Sequence, residues 1–336
     1  MFEGKKILVT GGTGSLGSAL IKRLLKFNVD VIRVYSRDEW KQVMMRSAIP
    51  DKRLRFFIGD IRDKERLKRA LEGIDIVFHT AALKHVPVAE YNPFEFIKTN
   101  VNGTQNVIDA SIDNNVELIL GIGTDKAVSP LNTYGATKLL MERLMVSANN
   151  YRGNRRTKAV CVRYGNVLGS RGSVVPVLYN QIMRGEKITI TDPKMTRFTI
   201  TMNQAIDLVF RASKEGKGGE IFVPKLKAYR VEDIKNAILE ITDKKTSVKI
   251  INPRPGEKSH EILVSDDEIR NTYESSKDYI IYNEVDDPLF EKPKIKYKKA
   301  KLKKDYSSEK ADILTKNELK DLILKEKAWQ SAQTYL

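Results

Sequence analysis

The 336-residue chain is short of cysteine: Cys161 stands alone, so no internal disulfide can form and a reducing, cytoplasmic setting is expected. Long apolar runs are missing too. None approaches the roughly 18 residues that a membrane span needs, so no membrane partner is expected. The opening "MFEGKKILVTGG" carries neither a long apolar core nor a small-residue cleavage site, so no signal peptide is expected. Histidine is scarce, and His79, His85 and His260 show no metal-ligand spacing, which argues against a metal site. Acids are outnumbered, 43 against 59 lysines and arginines, for a net charge of +16. Half of that excess lies in residues 292–304, "KPKIKYKKAKLKK", with eight lysines and no acid. The run reads either as a contact for phosphate or an anionic surface, or as a solvated edge strand or loop. Nucleic acid is not the expected partner; the mild remaining excess suits polyphosphate ligands.

What is present is alternation. Short apolar runs at Lys6–Thr10, Val31–Tyr35, Arg55–Gly59, Ile74–Thr80, Glu117–Ile122 and Ala159–Arg163 predict strands. Between them Ser15–Lys26, Lys64–Leu71 and Phe94–Asn114 show the three-and-four spacing of helices. The series predicts an α/β fold with a doubly wound parallel sheet, the Rossmann arrangement. It also sets an expected division into a cofactor-binding domain, 1–164, and a smaller substrate lobe with a C-terminal extension, 165–336, from which 200–225 could return to the sheet. The last helical candidate is Lys316–Lys325.

"VTGGTGSLGSAL" follows the first strand and opens a helix, the context in which a glycine fingerprint has meaning. Gly11, Gly14 and Gly17 would permit a tight turn, and Thr13, Ser15 and Leu16 complete a loop whose N–H groups face a pyrophosphate. The second strand ends in "YSRDEW": Ser36 and Arg37 suit the 2′-phosphate of NADP, while Asp38 and Glu39 either bond the ribose of NAD or begin the next helix. The balance favours NADP. "GDIRD" adds Asp60 and Ile61, and "TAALKH" adds Ala81, Ala82 and Lys84, whose small residues would let the backbone approach ribose or nicotinamide.

The stretch "GIGTDKAVSPLNTYGATK" holds Tyr134 and Lys138 one helical turn apart, enough for redox chemistry on an alcohol, with Thr124, Asp125 and Lys126 just upstream. Taken alone, Asp125 and Lys126 read more readily as a surface salt-bridging turn. With "YSRDEWKQ", "ALKHVPVAEYNPFEFIKTN", "RYGNVLGSRGSVVP", "MTRF" and "RPGEKSHEIL", the chain resembles the extended short-chain dehydrogenases/reductases. More narrowly, it resembles the inverting UDP-N-acetylglucosamine 4,6-dehydratases of pseudaminic acid biosynthesis. The resemblance runs from residue 5 to about residue 264. Retaining relatives typically carry Thr-Asp-Glu where this chain has Thr124-Asp125-Lys126. A membrane-associated set resembles it at "TDKAV" but commonly has methionine at the position of Tyr134. One departure stands out: relatives often have serine where this chain has Gly123.

The resemblance implies a hydro-lyase acting on UDP-N-acetylglucosamine, with tightly held NADP regenerated each turnover and a homo-oligomeric assembly. Tyr134 would take the C4 hydroxyl proton as hydride leaves, with Lys138 holding the cofactor ribose and lowering the phenol's pKa. The C5 proton is then α to a ketone and acidic. Lys126 would be the base that removes it, if burial or positive charge lowers its pKa, and Asp125 the acid that protonates the departing C6 hydroxyl. Adjacent strand-end residues point apart, so this pairing demands a sharp turn. Motif transfer further assigns Lys84, Asn166, Arg171, Ser173, Arg197, Arg254 and Glu257 to substrate, the arginines gripping diphosphate and Glu257 the uridine ribose. A surface role for each is the alternative. A nucleotide-sugar 4-epimerase or a C5-retaining 4,6-dehydratase is the competing enzyme class, with a non-catalytic NADP sensor or basic nucleic-acid binder as the remaining alternative.

Overall fold

A computed structural model describes residues 1–244, 246–253, 256–282 and 295–329. Its first half alternates β1 (Lys6–Thr10), α1 (Ser15–Leu24), β2 (Val31–Ser36), α2 (Glu39–Ala48), β3 (Leu54–Ile58), α3 (Lys64–Leu71) and β4 (Ile76–His79). Two short helices, α4 (Val86–Tyr91) and α5 (Pro93–Phe96), lead into α6 (Gly103–Asp113), then β5 (Leu118–Ile122), α7 (Thr133–Tyr151) and β6 (Lys158–Val162). These elements form where local chemistry favours them. Asp38, Asp63 and Asn132 cap α2, α3 and α7 by accepting the N–H groups of Lys41, Arg66 and Gly135 at 2.9, 3.0 and 2.8 Å.

The later chain supplies β7 (Asn166–Val167), α8 (Val174–Met183), β8 (Ile188–Ile190), β9 (Thr196–Ile200), α9 (Met202–Glu215), β10 (Glu220–Pro224), β11 (Ala228–Arg230), α10 (Val231–Thr242) and β12 (Val248–Ile250). It continues through β13 (Ile262–Val264), α11 (Asp266–Ile269), β14 (Thr272–Glu274), β15 (Asp278–Tyr282), β16 (Lys298–Lys299), β17 (Tyr306–Ser307) and α12 (Lys316–Glu326).

Ten strands form one sheet, ordered β16-β14-β15-β10-β6-β5-β4-β1-β2-β3. From β3 to β10 all neighbours run parallel, and β15, β14 and β16 continue it antiparallel. The parallel strands are buried on both faces, which is why "KILVT" and "LILGI" read as continuous apolar runs. One face packs Leu20, Ile21 and Leu24 of α1 and Ile206 and Val209 of α9. The other packs Leu67 and Leu71 of α3, Val107 and Ile108 of α6, and Met141 and Met145 of α7. The sheet is therefore doubly wound, as expected. A separate apolar cluster joins Leu178 and Ile182 of α8, Ile234 and Ile238 of α10, and Leu319 and Ile323 of α12.

Two local features depart from the sequence reading. The helix expected over Phe94–Asn114 is broken by a π-helical turn, Ile97–Asn102, which buries Thr99 and Asn100. Strands after residue 165 also contribute more to the sheet than the looser pattern suggested, because β10, β14, β15 and β16 are short and separated by turns. The described part of the lysine run includes β16, whose Lys298 and Lys299 pair with Glu274 and Tyr273 at the sheet edge. Residues 292–294 lie outside the described residues.

Candidate active site

Strand order reverses direction on either side of β1, and the carboxyl ends of β1 and β4 meet at that crevice. Gly11 has φ +65°, and a Cβ there would lie 2.8 Å from Ala81 Cα. A Cβ on Gly17 would lie 2.6 Å from the Gly11 carbonyl oxygen. Both glycines are thus required by close approach. Helix α1 begins at Ser15 with Gly14 as its cap and no capping side chain, so its first N–H groups are free for an anion. The cradle fits a dinucleotide pyrophosphate. Thr13 and Leu16 are partly buried beside it, and Ala82 lies exposed after Ala81.

At the end of β2, Ser36 accepts the Gln42 amide at 3.0 Å, while Asp38 is consumed by the α2 cap and by Lys41 at 2.7 Å. Arg37 is half exposed, 3.7 Å from Asp60. Asp60 accepts the Arg62 guanidinium at 2.7 and 2.9 Å, and Ile61 packs under Gly103.

The Asp125-Lys126 pair sits on the required turn, a single 3₁₀ turn over Asp125–Ala127 directly beyond β5. Thr124 orders it: its hydroxyl donates to Asp125 Oδ1 at 3.0 Å, accepts the Lys126 N–H at 3.4 Å and hydrogen-bonds the Tyr134 phenol. Lys126 Nζ then reaches Asp125 Oδ1 at 3.0 Å, Asn166 Oδ1 at 3.2 Å and Glu261 Oε1 at 3.3 Å. Asp125 and Glu261 are buried, and Asp125 Oδ2 and Glu261 Oε2 have no hydrogen-bond partner among the described residues. Such orphaned oxygens are costly unless a ligand meets them.

The electrostatics amend the sequence reading. Burial, reinforced by the Glu261 charge, pushes the Asp125 carboxyl above its ordinary range despite Lys126, as an acid requires. Burial works to lower Lys126, but the Asp125 and Glu261 carboxylates outweigh it and hold the ammonium above its ordinary value. The expected lowering of the Lys126 pKa is therefore not found in the free protein, because negative groups face it. The expected lowering of Tyr134 by Lys138 is not found: burial pushes the phenol up to about 12, and the cation that opposes this is Lys126. Lys138, one turn along α7, is lowered to about 8 by burial, with the Glu142 carboxylate opposing.

The remaining predicted residues fall into two groups. Asn166 joins the cluster and hydrogen-bonds the buried Tyr229 of β11. Arg197 is buried and spends its donors on the Thr196 and Ser259 carbonyls at 2.8 and 3.0 Å and on Glu257 at 3.2 Å. That leaves it less open to a diphosphate than expected. Arg171 turns to the glycine loop, donating to Thr13 O at 2.9 Å and Ser15 Oγ at 3.1 Å, and its own carbonyl accepts from Lys84 at 2.8 Å. Arg171 and Lys84 thus lie between the glycine loop and the later chain. Ser173 caps α8 in position only, its hydroxyl buried and unpartnered among the described residues. Arg254 lies outside the described residues. The sequence reading missed Glu261, Tyr229 and Glu142; Glu261 was within reach, standing four residues beyond Glu257 in the same motif.

Residues 7–283 match the family model described as polysaccharide biosynthesis protein. The chain is 49% identical over 283 residues to a UDP-N-acetylglucosamine 4,6-dehydratase (inverting) of Campylobacter jejuni, covering 84% of each. It is 41% identical over 329 residues to a UDP-glucose 4-epimerase of Rickettsia rickettsii, covering 96% of each. An X-ray structure of Pen from Bacillus thuringiensis superposes with a TM-score of 0.91 at 40% identity, covering 98% of this chain and 99% of that one. A chain matched by the family model from its first strand to the end of β15 belongs to the polysaccharide biosynthesis protein family.

Proposed function

We propose that the protein is a UDP-N-acetylglucosamine 4,6-dehydratase that inverts C5, using NADP as a retained cofactor. The observation that carries this reading is the meeting of Tyr134 with Asp125, Lys126 and two unpartnered carboxylate oxygens at one strand end, with Lys138 one turn along α7. The identity to the Campylobacter dehydratase supports it. NADP is favoured over NAD because Asp38 is committed to the α2 cap while Arg37 stays half exposed.

When bound, the nicotinamide would accept hydride from C4 and return it to C6. Tyr134, linked through Thr124 to Asp125, takes the C4 hydroxyl proton as phenolate, a form that the positive ring of a bound nicotinamide would favour against the burial that raises it. The ketone acidifies the C5 proton, which Lys126 removes in its neutral form. Asp125, held toward its protonated form, gives its proton to the C6 hydroxyl, which leaves as water. Hydride returned to C6 of the resulting enone would leave an enolate, and C5 then takes a proton on the opposite face, so the reaction closes without net oxidation.

The name of the Rickettsia relative, which spans 96% of this chain, raises 4-epimerisation as a second reading. Turnover in D₂O, read by NMR, separates the two. A 6-deoxy-4-keto product labelled at C5 is expected, and Lys126→Ala should abolish it with cofactor still bound. An unlabelled hexose epimer would refute dehydration.

A further inference from the structure

Lys126 is the group whose state decides when C5 chemistry begins, and its surroundings come from six places in the fold. Asp125 flanks it on its own turn; Tyr134 approaches from α7, Asn166 from β7 and Tyr229 from β11. Lys84 after β4 and Lys258 before β13 add positive charge nearby. Glu261, one residue before β13, brings the second carboxylate to Nζ, at 3.3 Å. Glu261 is itself held from behind: its backbone N–H donates to Ser308 Oγ at 2.9 Å, its carbonyl accepts the Ser308 N–H at 2.8 Å, and Arg197 Nε lies 4.0 Å from Oε1. A carboxylate so anchored, buried, with Oε2 unpartnered among the described residues, is more than a chance neighbour.

We propose that Glu261 is a positioning residue for Lys126, fixing the amine between Asp125 and the sugar and setting the proton supply it works with. This rests on the dehydratase reading. Of the two carboxylates at Nζ, only Glu261 is free of an assigned proton transfer, because Asp125 delivers its proton to the leaving hydroxyl. While Glu261 is charged, Lys126 stays an ammonium in the free enzyme and becomes a base only after losing that proton. Glu261 thereby restrains the lysine until substrate arrives beside it.

The experiment is kcat and KM against pH for wild type, Glu261→Gln and Glu261→Asp as full-length holoenzymes, with C5 deuterium incorporation as the readout. Removing the charge weakens the hold on the ammonium, so the neutral amine is reached at lower pH. The rising limb of kcat in Glu261→Gln should move down by about one pH unit or more, as expected when an opposite charge is removed within hydrogen-bonding distance. Glu261→Asp, with its charge kept but withdrawn, should shift less in the same direction and serves alone if the amide variant does not fold. An unshifted limb with a uniformly lower kcat, or a change in KM alone, overturns the inference. A wild type that forms no C5-labelled keto product overturns the dehydratase reading and this inference with it; labelled product from wild type with unshifted variants overturns this inference alone.

Discussion

Arg163, immediately after β6, is nearly inaccessible and binds two carboxylates at once. It donates to Glu142 of α7 at 2.8 and 3.2 Å, to Glu268 of α11 at 2.8 and 2.9 Å, and to the Leu263 carbonyl of β13 at 2.9 Å. Replacing it with methionine leaves Glu142 and Glu268 buried without their cation, a change worth about 3–5 kcal/mol. With an unfolding entropy of roughly 2.1 cal/mol/K per residue, a chain of this length should lose about 6 °C in Tm. The loss should also depend on pH. In the wild type, burial raises the Glu268 carboxyl but Arg163 overrides it and holds the group below its ordinary value, so it contributes stability above the unfolded pKa of about 4.3. Without Arg163, burial is opposed only by the Ser265 N–H and hydroxyl at 3.1 and 3.3 Å. As the largest influence it raises the folded-state pKa above about 4.3, so folding takes up protons and stability falls as pH increases. The deficit of Arg163→Met should therefore be largest near pH 7 and shrink towards pH 4. Scanning calorimetry at the two pH values measures it. A variant melting within a degree of wild type at pH 7 would refute the reasoning.

Two further outcomes follow from the same structure. Arg171 ties the chain after β7 to Thr13 and Ser15 of the glycine loop, so Arg171→Ala should loosen that loop and release a bound nicotinamide cofactor about tenfold faster, a change of about 1.4 kcal/mol, with the cofactor-free Tm little changed. Stopped-flow fluorescence checks this. His79, fully enclosed between Thr10 and Thr104 at 2.8 and 3.0 Å, is lowered to about 3 by burial and then by Lys138. Its folded pKa lies below its unfolded value of about 6.5, so stability is present above pH 6.5 and lost as pH falls towards 3. Urea midpoints should show about 2 kcal/mol lost to this group by pH 5, and His79→Gln should flatten that slope.

Much of the first half was legible because each βα unit is specified locally. The strand periodicity placed β1 to β6 within about two residues, and the glycine spacing foretold the tight turn between β1 and α1. The Asp125-Lys126 turn was foreseeable because only a turn brings neighbouring strand-end residues together. What was not legible is long-range. Glu261 meets Lys126 across 135 positions, and Arg171 meets Thr13 across 158, distances at which no periodicity operates. Gly123 is a related case. Serine would be compatible with the sequence pattern, yet a Cβ here would stand 2.2 Å from Glu142 Oε1 and 2.8 Å from the Val162 carbonyl oxygen. A side chain here is opposed by the Val162 carbonyl and by a carboxylate held in place by Arg163, a coupling visible only once α7 and β6 are side by side.

The same cluster weighs on the choice between dehydration and epimerisation. Interconverting C4 epimers requires oxidation and reduction at one carbon, for which Tyr134, Lys138 and a nicotinamide suffice; no proton need leave C5. Withdrawing Asp125, Lys126 and Glu261 from water is costly, several kcal/mol for each ion before their mutual attraction is counted. Their geometry returns only part of this, because one oxygen on each carboxylate is left unpartnered among the described residues. Apolar side chains of similar volume would stabilise an epimerase better. The arrangement becomes intelligible if substrate meets those oxygens and if two groups of opposite proton affinity are needed on adjacent carbons. Asp125, pushed towards its protonated form, and Lys126, which must shed a proton before it can accept one, are such a pair.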